Sequence, residues 1–249
     1  MKKRQTFNFF GVNIAEADLE SATKLVKSYD FSSPNYVSFP DAYVIALCQG
    51  NDHLRSILNH ALITLPDGKP SALMGKRKGL KHIAPVSGYW LCRALLDTGL
   101  SHYFLGSSQE RLQRLEQKIA KLHPRARVLG FSSPRFLSES EADSGQVLQA
   151  EFDKINSVKP DLIWVGISSP KQDYIMYHHL PLLQHGLMLG VGGVFDYLSG
   201  EVNKSPEWVK KIGFRWAWRL LSEPGRMWGK YYFVFKKLSV RFVVAYLKG

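Results

Sequence analysis

Short apolar runs alternate with longer amphipathic segments over most of the chain, from about residue 35 to residue 196. The apolar runs are NYVSF (35–39), LITLPDG (62–68), HYFLG (102–106), ARVLGF (126–131), DLIWVGIS (161–168) and GLMLGVGG (186–193). They are continuous rather than alternating, which is typical of strands buried on both faces of a parallel sheet. The segments between them have helical spacing, and the one at roughly 138–157 is expected to be a single helix. The pattern predicts an α/β fold, in which a Rossmann-like parallel sheet is sandwiched by helices.

The pattern changes after Gly200. Residues 206–221 can form one helix, and Pro224 suits the first turn of another. The second helix has a basic stripe of Arg226, Lys230, Lys237 and Arg241 and an apolar stripe of Trp228, Tyr231, Phe235, Leu238 and Phe242. Such a helix is expected at an anionic membrane surface, although a helix docked on the protein body with a solvated charged face would have the same pattern. We therefore predict an α/β domain over 1–203 and a basic amphipathic C-terminal helical appendage over 204–249.

Charge is concentrated in that appendage. The 249 residues have a formal net charge of +12, and residues 204–249 carry +9 of it together with four of the six tryptophans. This distribution indicates an anionic partner, which could be a membrane surface, a nucleic acid or a phosphorylated substrate. Two cysteines are too few for a disulfide scaffold and favour a reducing, cytoplasmic compartment. No stretch reaches 18 apolar residues, and the basic N-terminal segment is interrupted by Asn8, so we expect neither a transmembrane helix nor a signal peptide.

Polar and glycine-rich segments lie at the predicted strand ends. Ligands of parallel sheets bind at the carboxyl ends of the strands, so the candidate site residues are sought there. They are Asn35 near an early strand, Asp67, Gly68, Gly106, Lys171, Gln172, Gly192, Gly193 and Asp196. Turns of this composition occur throughout α/β domains, so each of these residues could equally have a structural role.

Four of these positions offer chemistry. Asp67, in a turn directly after a buried strand, could be a general base or could stabilise the turn. Asp196 could bond a sugar or ribose hydroxyl, or cap the segment that follows it. Lys171 and Gln172 follow Pro170 at a predicted helix start, where free backbone N–H groups and a cation suit a phosphate.

Several common site types are missing from the sequence. There is no GxGxxG after the first strand, no GxxxxGK[ST], no DxD and no GxSxG. His178 and His179 are adjacent, so they cannot both face one metal ion on a helix. We therefore expect no metal and no cofactor in the reaction.

The ordered motifs resemble the WecG/TagA/CpsF family of bacterial glycosyltransferases (glycosyltransferase family 26) from about residue 8 to residue 240. The matching pieces are Pro34-Asn35, LPDG at 65–68, FLGS at 104–107, DLIWVGISSPKQD at 161–173, GVGGVFDYLSG at 190–200, SPEW at 205–208 and RWAWRLLSEPGRMW at 215–228. The resemblance implies an inverting, metal-independent enzyme that moves a sugar from a UDP-sugar onto a polyprenyl-diphosphate-linked saccharide in cell-surface polysaccharide synthesis. The donor would be of the N-acetylmannosamine/N-acetylmannosaminuronate or the glucose/glucuronate type. The enzyme would be cytoplasmic and peripheral on the inner face of the bacterial membrane, with the anionic membrane surface as a partner.

The resemblance also implies residue roles. Asp67 would be the general base, and Asn35 and Gln172 would line the substrate pocket. Arg219 and Arg226 would close over the diphosphate. This agrees with the chemistry, because a transferase without a metal needs arginines and helix N-termini to stabilise the departing UDP.

The chain departs from the family pattern at several positions. Pro85 and Trp90 stand where the family usually has an arginine and an aspartate, and Asp173 stands where a glutamate is usual. These departures leave the donor sugar open. They also leave open an inactive homologue that serves another transferase as a partner subunit.

A nucleic-acid-binding protein that uses the basic aromatic tail is the alternative from another class. The ordered motifs would have no role in such a protein, so we expect no nucleic-acid partner. The amphipathic helix could also form a homo-oligomer interface, which leaves the oligomeric state open.

Overall fold

A computed structural model describes residues 5–145, 147–200, 221 and 224–248. The strands are β1 (Thr6–Phe9), β2 (Val12–Ala15), β3 (Asn35–Ser38), β4 (Ile63–Thr64), β5 (Ser101–Leu105), β6 (Arg127–Ser132), β7 (Leu162–Val165) and β8 (Leu187–Gly190). The helices up to residue 200 are α1 (Leu19–Lys27), α2 (Ala42–Leu47), α3 (Asp52–His60), α4 (Lys69–Arg77), α5 (Gly88–Leu96), α6 (Gln109–Leu122), α7 (Glu139–Ser144), α8 (Gln149–Val158), α9 (Lys171–His179) and α10 (Val194–Leu198). A final helix, α11, spans Pro224–Lys248, and a short 3₁₀ turn, Leu180–Leu182, follows α9.

The six predicted apolar runs form one sheet. Its strand order is β4-β3-β8-β7-β5-β6, and every neighbouring pair is parallel. The predicted α/β fold with a parallel sheet between helices is confirmed. The N-terminal strands β1 and β2 form a separate antiparallel pair, which the sequence pattern did not predict.

Successive residues of each strand face opposite layers of helices. In β7, Ile163 and Val165 belong to one apolar cluster, whereas Leu162 and Trp164 belong to the other. The first cluster, here called the α9 face, takes its helical residues from α2, α3, α4, α7, α8, α9 and α11. The second, here called the α6 face, takes them from α1, α5, α6 and α10. Because both faces are covered, the inner strands of the sheet are mostly apolar on both sides.

The prediction of a single helix over 138–157 is wrong. The structure has α7 and α8 there, separated at Gly145, which caps α7 with φ +77°. A left-handed residue ends a helix, and glycine adopts this conformation without a Cβ penalty. The helical spacing runs through both helices, so periodicity does not reveal the break.

The final helix starts at Pro224, as predicted, and docks on the protein body. Leu238 is buried, and Phe242 packs with its ring centroid 6.4 Å from that of Phe9. The helix predicted over 206–221 lies outside the described residues, apart from Leu221. Within the part of the chain that is described, no helix is both long enough and apolar enough to cross a membrane. The division at residue 203 stays a prediction.

Candidate functional site

The connection that follows β8 and those that follow its two neighbouring strands run to opposite faces of the sheet. The chain leaves β8 toward α10 on the α6 face, whereas it leaves β3 and β7 toward α2 and α9 on the α9 face. Connections that diverge in this way open a crevice at the carboxyl ends of the strands. The segments that follow β3, β4, β5, β7 and β8 meet at this end, here called the carboxyl edge.

Asp67 lies at the carboxyl edge in a loop that is fastened from two sides. The Leu65 N–H donates to the Ser38 carbonyl over 2.9 Å, and the Val86 N–H donates to the Pro66 carbonyl over 2.8 Å. Gly68 has φ +92° and is the N-cap residue of α4, so the chain turns sharply directly after Asp67. The half-buried Asp67 carboxylate is therefore carried by a loop whose backbone is fixed to β3 and to the segment before α5.

Gln172 holds the loop after β8. This buried residue donates from Nε2 to the Gly190 carbonyl and accepts at Oε1 from the Gly192 N–H, both over 2.8 Å. A Cβ at Gly190 would lie 2.5 Å from the terminal methyl group of Met176 and 3.1 Å from Nε2 of Gln172, so both side chains pack directly on this glycine. Gln172 thus positions the glycine-rich loop of Gly192 and Gly193, and its contact with substrate stays a prediction.

Lys171 reaches toward the segment after β6. Its Nζ donates to the Leu137 carbonyl over 2.7 Å and lies 4.1 Å from the centroid of the Phe136 ring. The lysine that was predicted to meet a phosphate therefore holds this segment against the start of α9. A phosphate contact stays a prediction.

Asp196 forms an ion pair that sequence reasoning did not anticipate. Its Oδ1 lies 3.1 Å from Nη1 of Arg111 in α6, and the same Nη1 donates to the Ser107 hydroxyl over 3.1 Å. The backbone before Ser107 is close-packed, because a Cβ at Gly106 would lie 2.8 Å from the Gly166 carbonyl group. Asp196 and Ser107 thus fix the Arg111 guanidinium group at the ends of β5 and β8. The one sequence signal for it was its place in the first turn of the helix that follows FLGS.

Asn35 lies at the opposite end of the sheet. It begins β3 and pairs with Leu187, the first residue of β8. Its Oδ1 accepts from the Tyr36 N–H over 2.9 Å. The prediction that Asn35 lies with the other candidates at the strand ends is wrong, because Phe39–Asp41, not Asn35, follows the carboxyl end of β3. Its role in substrate binding is not supported by this position.

The two tail arginines cannot be placed in the site. Arg219 lies outside the described residues. Arg226 belongs to the first turn of α11, and its side chain is also outside the description. Their closure over a diphosphate stays a prediction.

Asp173 is a buried carboxyl at the carboxyl edge. The Ser38 hydroxyl at the end of β3 donates to its Oδ1 over 3.2 Å. Burial raises the pKa of Asp173 to about 7; the Ser38 hydrogen bond opposes this rise and the nearby Asp41 adds to it. The start of α9 is thus joined to the end of β3 through a group that holds its proton at mildly acidic pH.

Asp173→Asn should change how stability depends on pH. In the wild type, the unfolded chain loses the Asp173 proton near pH 4, whereas the folded protein keeps it until about pH 7. The wild type is therefore stabilised by this group below pH 4 and loses that contribution as pH rises to 7, by a quantity on the order of 4 kcal/mol. The substituted asparagine keeps an acceptor for Ser38 and does not titrate. Urea unfolding of both proteins from pH 4 to pH 8 should show the variant gaining stability relative to the wild type, and parallel curves would contradict the assignment.

Comparisons with known proteins agree with the arrangement of motifs. The model of the "Glycosyl transferase WecG/TagA/CpsF family" matches residues 7–249. An "N-acetylglucosaminyldiphosphoundecaprenol N-acetyl-beta-D-mannosaminyltransferase" of Bacillus spizizenii strain W23 is 25% identical over 180 residues, which cover 71% of this chain and 66% of the relative. The protein of the same name in Bacillus subtilis strain 168 is 22% identical over 174 residues, which cover 68% and 64%. The aligned part thus spans slightly less than two-thirds of each relative. Because the family model covers nearly the whole sequence, the chain belongs to the WecG/TagA/CpsF family of glycosyltransferases.

Proposed function

We propose that this protein transfers a sugar from a UDP-sugar to a polyprenyl-diphosphate-linked saccharide with inversion at the anomeric carbon. The observation that carries the proposal is the position of Asp67 at the carboxyl edge, in a chain whose family consists of glycosyltransferases. Its loop is fastened to β3 and to the segment before α5. Such a carboxylate is suited to act as a base on a bound hydroxyl group.

The proposed reaction needs one base and one stabiliser of negative charge. Asp67 takes the proton from the acceptor hydroxyl while the hydroxyl oxygen bonds to the anomeric carbon and the bond from that carbon to UDP breaks. UDP-hexoses of this class carry α-linked sugars, and the names of both relatives specify a β-linked product, which supports inversion. Since the nucleophile is the acceptor itself, no enzyme-bound sugar forms.

The departing UDP requires fixed positive charge. Arg111 lies at the ends of β5 and β8, where it is held by Asp196 and Ser107. We assign it to the diphosphate side of the crevice, together with Arg219 and Arg226 of the tail. Preorganised cations stabilise the developing charge without reorganising during the reaction.

The first donor to test is UDP-N-acetylmannosamine, and the first acceptor is N-acetylglucosaminyl-diphosphoundecaprenol, following the names of the relatives. Purified protein should release UDP with one member of a panel of UDP-sugars, and release should depend on the lipid-linked acceptor. The panel should include UDP-glucose, UDP-glucuronate and UDP-N-acetylmannosaminuronate, because Pro85 and Trp90 depart from the family pattern. No release with any donor would contradict the proposal and favour the inactive partner subunit.

The outer side of α11 supports attachment to the cytoplasmic face of the membrane. Phe242 and Leu238 of the predicted apolar stripe face the protein body, whereas other apolar side chains of the helix are exposed. The exposed ones include Trp228, Tyr232, Phe235, Val240, Val243 and Leu247. Lys236 and Lys237 are exposed beside them. An apolar surface with basic neighbours is suited to an anionic bilayer, where a lipid-linked acceptor is located.

Replacing Trp228 and Phe235 together with Ser should weaken binding to phosphatidylglycerol vesicles by about tenfold or more, because each ring loses its burial in lipid. The two side chains are 67% and 70% exposed, so the fold should be unaffected. Leu122→Ser is a matched control, since Leu122 is 63% exposed on α6 at the other face of the sheet. Vesicle flotation measures the binding. Equal flotation of the double variant and the control would contradict a role for α11.

A further inference from the structure

Three side chains from three helices converge outside the carboxyl edge. His53 comes from α3, Asp143 from α7 and His178 from α9. Nε2 of His53 and Nε2 of His178 each lie 3.0 Å from the same oxygen, Oδ1 of Asp143. Among the described residues this is the one group of three or more potential metal ligands whose ligand atoms lie within 4.8 Å of one another. The proposed transfer reaction uses none of the three.

The donor set and its spacing fit a transition-metal ion. Two imidazole nitrogens and one carboxylate oxygen are ligands typical of Zn²⁺, which binds them at about 2.0–2.2 Å in a tetrahedron. Ligand atoms around such an ion lie about 3.3 Å apart, so both contacts to Asp143 already have nearly this length. The two imidazole nitrogens lie within 4.8 Å of each other, and the half-exposed His53 side chain can turn to close that distance.

Neighbouring residues pack against both rings. The His53 ring stacks on Tyr174, with centroids 6.0 Å apart and an interplanar angle of 19°. Gly145 packs against His178, and a Cβ on this glycine would lie 3.1 Å from the Cβ of His178. The adjacent His179 is buried and stacks on Phe152, on the other side of α9. Of the adjacent His178 and His179, only His178 belongs to the cluster, because consecutive residues of a helix point in different directions.

The geometry points to a Zn²⁺ site formed by His53 Nε2, Asp143 and His178 Nε2, with water at the fourth position. Partial exposure of all three side chains leaves room for that water. Both histidines must be neutral to bind the ion, so binding displaces a proton from any imidazolium present. The site is separate from the proposed transfer site, because His178 lies six residues after Gln172 in α9, about 9 Å along the helix axis from the carboxyl edge. A bound ion joins α3, α7 and α9, and the first turn of α9 carries Lys171 and Gln172.

Calorimetric titration with ZnSO₄ tests this site in the untagged full-length chain after treatment with EDTA and dialysis. We expect one ion per chain with a micromolar or tighter dissociation constant, and a rise in the melting temperature by several degrees when the ion is in excess. Bound Co²⁺ should give the intense visible absorption of four-coordinate cobalt with nitrogen and oxygen ligands. Absence of saturable binding would overturn the proposal, whether or not the protein transfers sugar.

Variants separate this site from other histidines. His178→Gln and Asp143→Asn should each weaken Zn²⁺ binding by at least about tenfold and remove the cobalt absorption. Asp143→Asn keeps the size of the side chain, so it serves if His178→Gln fails to fold. His60→Gln is the matched control, because the His60 ring lies 5.8 Å from the ring of Tyr177 on α9 and outside the cluster. The proposal would be overturned if the His178 and Asp143 variants bound Zn²⁺ as tightly as the wild type and the His60 control.

Discussion

Replacing Asp67 with Asn should lower the turnover number by about 10²–10⁴-fold, the usual contribution of a general base. Asparagine has almost the same size and cannot take a proton from the acceptor hydroxyl. The loop itself should keep its shape, because backbone hydrogen bonds from Leu65 and Val86 fasten it on both sides. Affinity for UDP should therefore stay within a few-fold of the wild type. Steady-state turnover and UDP titration on the same preparations measure both quantities.

Asp52→Asn is the matched control for that change. Asp52 has an 85% exposed side chain on α3 and pairs with Arg55. Removing its charge should leave turnover unchanged, because it lies outside the carboxyl edge. Wild-type turnover in Asp67→Asn would exclude Asp67 as the base. Loss of UDP affinity in parallel with turnover would show that Asp67 acts in donor binding instead.

Gln172→Ala should reduce both stability and activity. The truncation removes the buried amide that bonds the Gly190 carbonyl and the Gly192 N–H, and the Gly192 N–H keeps only its longer, 3.3 Å bond to the Val165 carbonyl. This loss costs about 1–3 kcal/mol of unfolding free energy. The loop of Gly192 and Gly193 then loses its support. If that loop binds the donor, the KM for the UDP-sugar should rise by about tenfold or more, with a smaller fall in kcat. Urea unfolding and donor-dependent kinetics measure the two effects.

Gln117→Ala on the exposed side of α6 is the matched control for Gln172→Ala. It removes the same group from solvent and should change neither stability nor KM. A Gln172→Ala protein with wild-type stability and lowered activity would show that Gln172 acts mainly on the substrate. Lowered stability with unchanged kinetics would show that the glycine loop does not bind the donor.

Much of the fold follows from hydrophobic periodicity. Strands β5, β7 and β8 are buried at every position, so their apolar runs are continuous and easily separated from helices. Strands β1 and β2 form a two-stranded pair with alternating burial in β1, and four residues of alternating pattern are a weaker signal than a continuous apolar run. The break between α7 and α8 depends on the conformation of Gly145, which the spacing of apolar residues does not specify.

The candidate site is predictable only where it follows from topology. Because parallel strands share a carboxyl end, the positions of Asp67, Gly106 and Gln172 follow from their place after strands. Asn35 was expected at the carboxyl edge as well, but it begins its strand and therefore lies at the opposite end of the sheet.

Contacts between side chains that are far apart in the sequence could not be predicted in this way. Ser38 and Asp173 are 135 residues apart in the sequence. Arg111 and Asp196 form an ion pair although one follows β5 and the other follows β8. The cluster of His53, Asp143 and His178 depends likewise on how three helices pack. No local pattern encodes these contacts, so they require the three-dimensional structure.

The central claim is sugar transfer to a polyprenyl-diphosphate-linked acceptor with Asp67 as the base. The most direct measurement is mass spectrometry of N-acetylglucosaminyl-diphosphoundecaprenol after incubation with UDP-sugars and either the wild-type protein or Asp67→Asn. We expect one donor to add a single sugar to the lipid with the wild-type protein, and the variant to give almost none of this product. An acceptor of unchanged mass with every donor would contradict sugar transfer by this protein, and equal product from both proteins would contradict Asp67 as the base.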